Sequence, residues 1–579
     1  MAMSADPKLH LAELLKTALA SVAPDAPERD ILLERPKQAG HGDFSSNLAM
    51  QLAKPLRRSP RDLAQMLVAE LPASELVSKV EIAGPGFINF TLATDAKTGI
   101  VTTVLEQGES FGRGADKGIS VQIEFVSANP TGPLHVGHGR GAAYGASLSS
   151  VMEFAGYKVA REYYVNDAGR QMDILATSTW LRYLAFFGIE VAFPPNGYQG
   201  DYVIDMAREI RDGHQDRFAK VSLEQVTAGL VDVDADKEAH LDGLIANAKA
   251  LLGQDYHWIH DFVLTEQLGD CREDLGEFGV TFDKWFSEKS LFDTGLVERA
   301  VTQLEKLGHI YVQDGAKWFR SSAFGDEKDR VVQRDNGLFT YFASDIAYHL
   351  NKYERGFDRM IDIWGADHHG YIPRVKGAIQ ALALAPEKLE VSLVQFAVLY
   401  RNGQKAPMST RSGQFVTLRD LRKEVGNDAC RFFYVLRKSD QHLDFDLDLA
   451  KSQSNENPVY YIQYAHARVC SVLGQWNGVE RDLLEVDLGR LESERELGLC
   501  ARLATFPEVV QSAADDYAPH QIAFYLKDLA GEFHSWYNAE RMLVEDEDLK
   551  AARLALAAAI RHTLANGLRL LGVSAPTSM

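Results

Sequence analysis

Three observations predict an α/β plus α protein, built as a doubly wound parallel sheet between a small α/β domain and a helical bundle. From residue 119 onward strand-like segments alternate with helix-like ones, the pattern of a parallel sheet wrapped by helices. After about residue 426 strand signals nearly vanish, and Ala and Leu recur at helical spacing. The chain has 579 residues, and at roughly 100 to 200 residues per domain it should divide into three or four packed units.

The elements follow in chain order. Residues 1–112 mix a helical stripe (Leu11, Leu14, Leu15 and Ala18) with strand-like text such as "KVEIAGPGFINFTL", so a small α/β domain is expected. Residues 113–425 carry the sheet, and its first strand is the alternating "SVQIEFVS". A turn and a helix reaching about Phe154 come next, then the strand "YKVAREYYV". Further strands read at "FDRMIDIWG" and "EVSLVQFAVLY". Between about 195 and 300 a charged, mostly helical stretch reads as an insertion, and residues 426–579 as the helical bundle.

Hydrophobic residues make up 46% and charged residues 25%, the balance of a soluble globular protein. The sequence has no run long and apolar enough for a membrane span, and its first thirty residues lack a signal-peptide core. A cytoplasmic location is therefore expected. Cys271, Cys430, Cys470 and Cys500 are too scattered for a zinc knuckle or a disulfide framework, so reduced, mostly core thiols are expected. The formal net charge of -20 argues on its face against a nucleic-acid partner. Two basic stretches, residues 54–62 and 411–424, weaken that argument, although each alone reads as a solvated face.

The densest signal is "IEFVSANPTGPLHVGHGRGAAYG", residues 123–145. Pro130 and Pro133 should stop the strand, Gly132 permits a reversal, and a helix should begin near Leu134. His135 and His138 then share a face of its first turn. Free N–H groups and the positive dipole end attract phosphate there, and the imidazoles can donate to phosphate oxygens. Gly137 leaves room for a flat base, and the small residues after it let the helix pack closely on the sheet. A metal site completed by Asp367, His368 and His369, or two purely structural histidines, are the competing readings. The strand, proline-glycine turn and small-residue helix together favour phosphate.

This turn resembles the His-x-Gly-His signature of class I aminoacyl-tRNA synthetases, which occurs also in small-molecule nucleotidyltransferases. The second class I signature is a Lys-Met-Ser-Lys-Ser loop. Here residues 405–413 read "KAPMSTRSG", so Met408 and Ser409 match while Pro407 and Thr410 replace the usual lysines. Lys405 and Arg411 are the cations left for a triphosphate. "EYYVNDAGRQ", "GADHHGYIPRVK", "DACRFF", "YYIQYAHAR" and the ending "LRLLGVSAPTSM" resemble the bacterial-type arginyl-tRNA synthetase family along essentially the whole chain. The resemblance implies a Rossmann-like catalytic domain, an N-terminal domain that contacts the tRNA D-loop, and an anticodon-binding bundle.

A guanidinium needs carboxylates around it. Glu124 is a candidate, because an acid in a buried parallel strand is unexpected unless paired. Asn129, at the strand end, can bond the substrate's amino or carboxylate group. Tyr341 and Asp345 share a helical face, although by type alone they read as a core aromatic and a surface acid. The family's arginine-contacting positions match Glu124, Asn129, His135, Tyr341, Asp345 and His369. The resemblance further implies ATP with Mg2+, an arginyl-adenylate, and transfer to the 2′-OH of the terminal adenosine of tRNA(Arg). His135, Gly137, His138, Met408 and Ser409 would then bind ATP, and His135, His138, Lys405, Ser409 and Arg411 would stabilise charge. It implies no protein-bound zinc, a monomer, and tRNA required for activation. Phe87 and Asn89 match the D-loop segment, and Tyr460, Tyr461, Tyr464, Trp536 and Tyr537 are the candidate stacking residues of the bundle. A small-molecule nucleotidyltransferase would leave both outer domains without a purpose, and intact His135, His138, Glu124 and Asp345 argue against an inactive RNA-binding relative.

Overall fold

The computed structural model describes residues 7–36, 39–406, 416–476 and 478–579. In the N-terminal domain, Leu11, Leu14, Leu15 and Ala18 of helix Pro7–Val22 are buried, as their spacing predicts. They pack with Leu63 and Leu67 of helix Pro60–Ala69 and with Ile88 and Phe90. Ser59 caps that second helix by accepting the Asp62 N–H, and Pro60 presets its first turn. The antiparallel sheet beneath runs Leu33–Glu34, Phe44–Ser46, Phe87–Leu92, Val77–Ala83. The following helix Ile100–Gln107, expected within this domain, instead shares its core with the C-terminal bundle: Val101 and Val104 join that cluster, and Asn566 donates to the carbonyls of Gly108 (2.9 Å) and Phe111 (3.2 Å).

The central sheet is parallel throughout, in the order Leu389–Val394, Arg359–Gly365, Ser120–Glu124, Lys158–Val165, Lys284–Ser287. Strand Ser120–Glu124 lies at its centre, so both faces are covered. Val121 and Ile123 enter the core that includes helix Val136–Phe154, whereas Glu124 meets helix Tyr341–Glu354. Gly145 makes the close approach possible: a Cβ there would lie 2.3 Å from the Phe125 ring.

Four features depart from the sequence expectation. Strand Lys284–Ser287 lies inside the stretch read as insertion; the helices Asp201–His214, Lys237–Leu252 and Gln254–Glu277 do form the rest, and a separate core around Trp180, Phe218, Leu244 and Ile259 supports them. "EVSLVQFAVLY" is two strands. Leu389–Val394 closes one edge of the central sheet, and Ala397–Arg401 joins a second sheet with Gln404–Lys405 and Leu443–Asp446. The break at Gln395 is held from outside, since its N–H bonds Ser439 O (2.9 Å) and its carbonyl accepts the buried Arg140 (2.8 Å). The first strand ends at Glu124, ahead of both prolines, because Val126 and Ser127 take left-handed φ values of 68° and 44°. A three-stranded antiparallel sheet, Ile310–Gln313, Ala316–Phe319 and Arg330–Gln333, was not expected at all. Its "QDGA" turn, with Asp314 and Gly315 both at positive φ, is a hairpin signal that could have revealed it.

Residues beyond Asn457 form the bundle Pro458–Trp476, Glu494–Ala504, Phe506–Asp515, His520–Ala539 and Glu547–Leu570. The four cysteines carry no disulfide, and Cys271, Cys430 and Cys500 are buried. Among the described residues no helix is long and apolar enough to cross a membrane.

Candidate active site

Helix Val136–Phe154 begins two residues after Leu134, the start expected from the sequence, because His135 is its N-cap. The His135 Nδ1 accepts the Gly137 N–H (3.1 Å), and the His138 Nδ1 accepts the His135 N–H (3.3 Å). Each imidazole therefore carries its proton on Nε2, as a neutral donor. Their rings stack with centroids 3.7 Å apart. Burial lowers the His135 pKa, and burial together with the neighbouring His135 holds His138 down at about 3. The helix start thus offers a phosphate two neutral N–H donors and the positive dipole end. Gly137 is required by His135 itself, whose ring would lie 2.8 Å from a Cβ at that position.

The return from the second signature is stitched to this turn. Val136 N bonds Val416 O (3.1 Å), and Leu418 N bonds Leu134 O (2.8 Å). Lys405 lies exposed on the strand that leads into the loop. Met408, Ser409 and Arg411 lie outside the described residues.

At the end of the strand that leads into this turn the structure gathers several acids. Ser127, held in its left-handed conformation, donates to Glu124 Oε1 (2.9 Å) and accepts the Tyr164 N–H (3.1 Å). Glu124 Oε2 pairs with the buried Lys352 at 2.5 Å, so the acid in the strand is indeed paired. Helix Tyr341–Glu354, capped by Thr340, presents an exposed Tyr341 at its start and Asp345 one turn in. The Tyr371 hydroxyl donates to Asp345 Oδ2. Burial raises the Asp345 pKa, opposed by that bond and by His349.

Sequence reasoning missed Glu288. Burial raises its pKa too, opposed by Ser344, which donates to its Oε1 (2.9 Å), and by the neighbouring Tyr164 hydroxyl, while its buried Oε2 makes no hydrogen bond of good geometry. Burial, followed by the charges of Glu288, Asp345 and Glu124, pushes the Tyr164 hydroxyl upward, so all three carboxylates lie within electrostatic reach of that hydroxyl. Among the described residues neither Asp345 nor Glu288 has an ion-pair partner, which suits both to a ligand cation. The only sequence hint was position, since Glu288 follows a strand that had not been recognised.

Asn129 is exposed at the mouth, where its Oδ1 accepts Asn166 Nδ2 (3.2 Å) and leaves its own amide N–H groups to donate. Tyr202 of the insertion donates to Thr131 O (2.7 Å) and braces the same loop. His369 is exposed beside Asp367 and His368 on the turn Ala366–Tyr371. Among the described residues no group of His, Cys, Asp or Glu is arranged to hold a metal ion.

Two of the RNA-facing expectations are corrected. Trp536 is 0% exposed inside the bundle, so no ring face is left for a base. Asn89 is 5% exposed in mid-strand and accepts the Ser45 hydroxyl at 2.6 Å, so it joins two strands, whereas Phe87 is 38% exposed. Tyr460 and Tyr464 are half-buried and stack 5.9 Å apart, and Arg468 lies over the rings of Tyr464 (4.4 Å) and Tyr537 (4.7 Å). Tyr460 also lines a cleft of about 560 Å³ with Asn427, Lys451, Gln453, Gln463 and Met579.

Comparison with known proteins accounts for most of the chain. Residues 9–92 match the arginyl tRNA synthetase N terminal domain, and residues 100–183 with 261–443 the catalytic domain of class I (R) tRNA synthetases. Residues 462–579 match the DALR anticodon binding domain. The gap in the catalytic match, residues 184–260, spans helices Asp201–His214 and Lys237–Leu252 of the insertion. Arginine–tRNA ligases of Azoarcus sp. (strain BH72) and Aromatoleum aromaticum are 76% and 73% identical to it, over 100% of both chains in each case. The Thermus thermophilus arginyl-tRNA synthetase structure has the same fold, with a TM-score of 0.72 at 23% identity over 99% of this chain and 100% of the other.

Proposed function

The chain belongs to the arginyl-tRNA synthetase family, and on that premise we propose that it ligates L-arginine to tRNA(Arg) in two steps with ATP as the second substrate. In the first, an arginine carboxylate oxygen attacks the α-phosphorus of ATP; the bond to the bridging oxygen breaks, giving arginyl-adenylate and pyrophosphate. In the second, the 2′-OH of the terminal adenosine attacks the adenylate carbonyl, and AMP leaves. Mg2+ enters with ATP and offsets phosphate charge.

The chain's own contribution is alignment and fixed dipoles. Nε2–H groups of His135 and His138 face the phosphates, and Gly137 keeps that surface open. Lys405, Met408, Ser409 and Arg411 approach the triphosphate from the second signature loop. Asp345 and Glu288 hold the guanidinium, with Tyr341 packed across the side chain. Glu124, already neutralised by Lys352, orients the α-ammonium group, while Asn129 and His369 bond the polar end of the amino acid. Phe87 and the Tyr460–Tyr464 pair offer stacking surfaces to tRNA. A cytoplasmic monomer is the simplest state consistent with this reading.

One observation carries the proposal: among the described residues two carboxylates without ion-pair partners, the half-buried Asp345 and the buried Glu288, act with Glu124 on the same Tyr164 hydroxyl, and Glu124 ends the strand that leads into the turn capped by His135. Lysine would reach one carboxylate but not form the guanidinium fork, which costs roughly 1 to 3 kcal/mol per acceptor left unpaired. Arginine-dependent exchange of pyrophosphate into ATP, with and without tRNA(Arg), tests it. Exchange that needs both arginine and tRNA is expected; none under either condition refutes the assignment.

A further inference from the structure

Asp362, Glu124 and Glu162 are direct register partners on three adjacent parallel strands, so their carboxylates form one row across a buried face of the sheet. Like charges opposite each other repel, and a row of three would not fold without cations above it. Helix Tyr341–Glu354 and the residue after it supply them. Lys352 Nζ lies 2.5 Å from Glu124 Oε2 and 2.6 Å from Asp362 Oδ1, and Arg355 binds both oxygens of Glu162 at 2.5 and 2.9 Å. His349 Nε2 stands 2.9 Å from Asp362 Oδ2 while its Nδ1 faces the Asp345 carbonyl at 2.8 Å. Tyr348 completes the layer by donating to Glu162 Oε1 (2.7 Å). Asp345, His349 and Lys352 are spaced i, i+4, i+7, so the stripe that carries the pocket acid at one end is the stripe locked to the sheet at the other.

On the functional reading above, we propose that Lys352 is a positioning residue for arginine: it never touches substrate, but fixes the Glu124 carboxylate and the seating of the helix that bears Tyr341 and Asp345. Lys352 has no exposed surface, so its ammonium is out of reach of any ligand. Glu124 is clamped by Lys352 on one oxygen and by Ser127 on the other, which leaves it a single orientation toward the pocket. ATP meets the opposite side of the turn, at His135 and His138. Loss of Lys352 should therefore fall on the amino acid and spare the nucleotide.

Steady-state pyrophosphate exchange, with arginine and ATP varied separately, reads that split. Lys352→Met should raise the KM for arginine about tenfold or more while the KM for ATP stays within about twofold. Because the single variant leaves Glu124 and Asp362 adjacent and without their shared cation, the decisive protein is Lys352→Met with Asp362→Asn, which removes one of these two charges while Arg355 still neutralises Glu162. There the thermal midpoint should recover and the arginine KM should stay high, because Glu124 still lacks its anchor. Ser127→Ala, which leaves Lys352 and every acid in place and removes only the hydroxyl bonded to Glu124, should give the same split on a smaller scale. A folded double variant or a Ser127→Ala protein with wild-type arginine KM overturns the inference, as does a parallel rise in both KM values. Wild-type protein that shows no arginine-dependent exchange instead overturns the functional reading, and this inference with it.

Discussion

Asp345→Asn separates the catalytic worth of a pocket acid from its structural cost. Asparagine keeps the size of the side chain and an acceptor for the Tyr371 hydroxyl, but removes the charge and half of the fork that a guanidinium needs. Removing one partner of a buried charge pair costs about 2 to 5 kcal/mol. Glu288 remains as a second anion, so the lower half of that range applies, about 2 to 3 kcal/mol or roughly a 30- to 150-fold loss in kcat/KM for arginine. Stability should move the other way. Burial raises the folded-state pKa of Asp345 above its ordinary value, so its stability penalty is absent in acid and fully present above the raised pKa. At neutral pH the asparagine variant should therefore melt no lower than wild type, with the difference closing as pH falls through the ordinary carboxylate range. Pyrophosphate exchange with varied arginine, filter binding of tRNA(Arg) and a thermal melt complete the experiment. A change in arginine kcat/KM below about fivefold, or a collapse of tRNA affinity, refutes the assignment of Asp345 to the guanidinium.

Gly145→Ala places a Cβ 2.3 Å from the buried Phe125 ring, next to Glu124, and should cost about 1 to 3 kcal/mol in urea unfolding; an unchanged midpoint would mean that helix and strand part easily. Tyr460→Ala should weaken tRNA binding by about 1 to 3 kcal/mol with the arginine KM unchanged, as expected for a stacking surface. Trp536→Ala should lower stability by about 3 to 5 kcal/mol instead, measured by the same urea titration, because it empties a core site. The half-buried His138 stays neutral in the fold down to about pH 3, whereas in the unfolded chain it takes up a proton near its ordinary 6.5. Its contribution is therefore intact above that range and lost as pH falls from 6.5 toward 3, and His138→Gln should flatten this part of the stability profile.

The local text was enough for much of the catalytic region. The stripe of helix Pro7–Val22, the strands at 120, 158 and 359, and the small-residue helix after His135 all follow from periodicity, because each is decided within four to eight residues. The Asp314–Gly315 hairpin carries an equally local signal, although it was not expected from the sequence. Other features were not. Strand 389–394 parts from 397–401 because Arg140, 255 residues away, holds the Gln395 carbonyl. Nothing in an aromatic helical stripe separates the buried Trp536 from the half-buried Tyr460, since both satisfy the same period.

By itself the sequence determined many of the helices and strands, the position of the His-x-Gly-His turn and, through resemblance, the family. Only the tertiary structure decided that Glu124 is paired with Lys352, 228 residues further on, and that the charges of Glu288 and Asp345 both reach Tyr164. The physical reason is range. Backbone propensity and periodicity act between near neighbours, whereas the charge state and orientation of a buried acid depend on which distant side chains the folded path brings within a few ångströms.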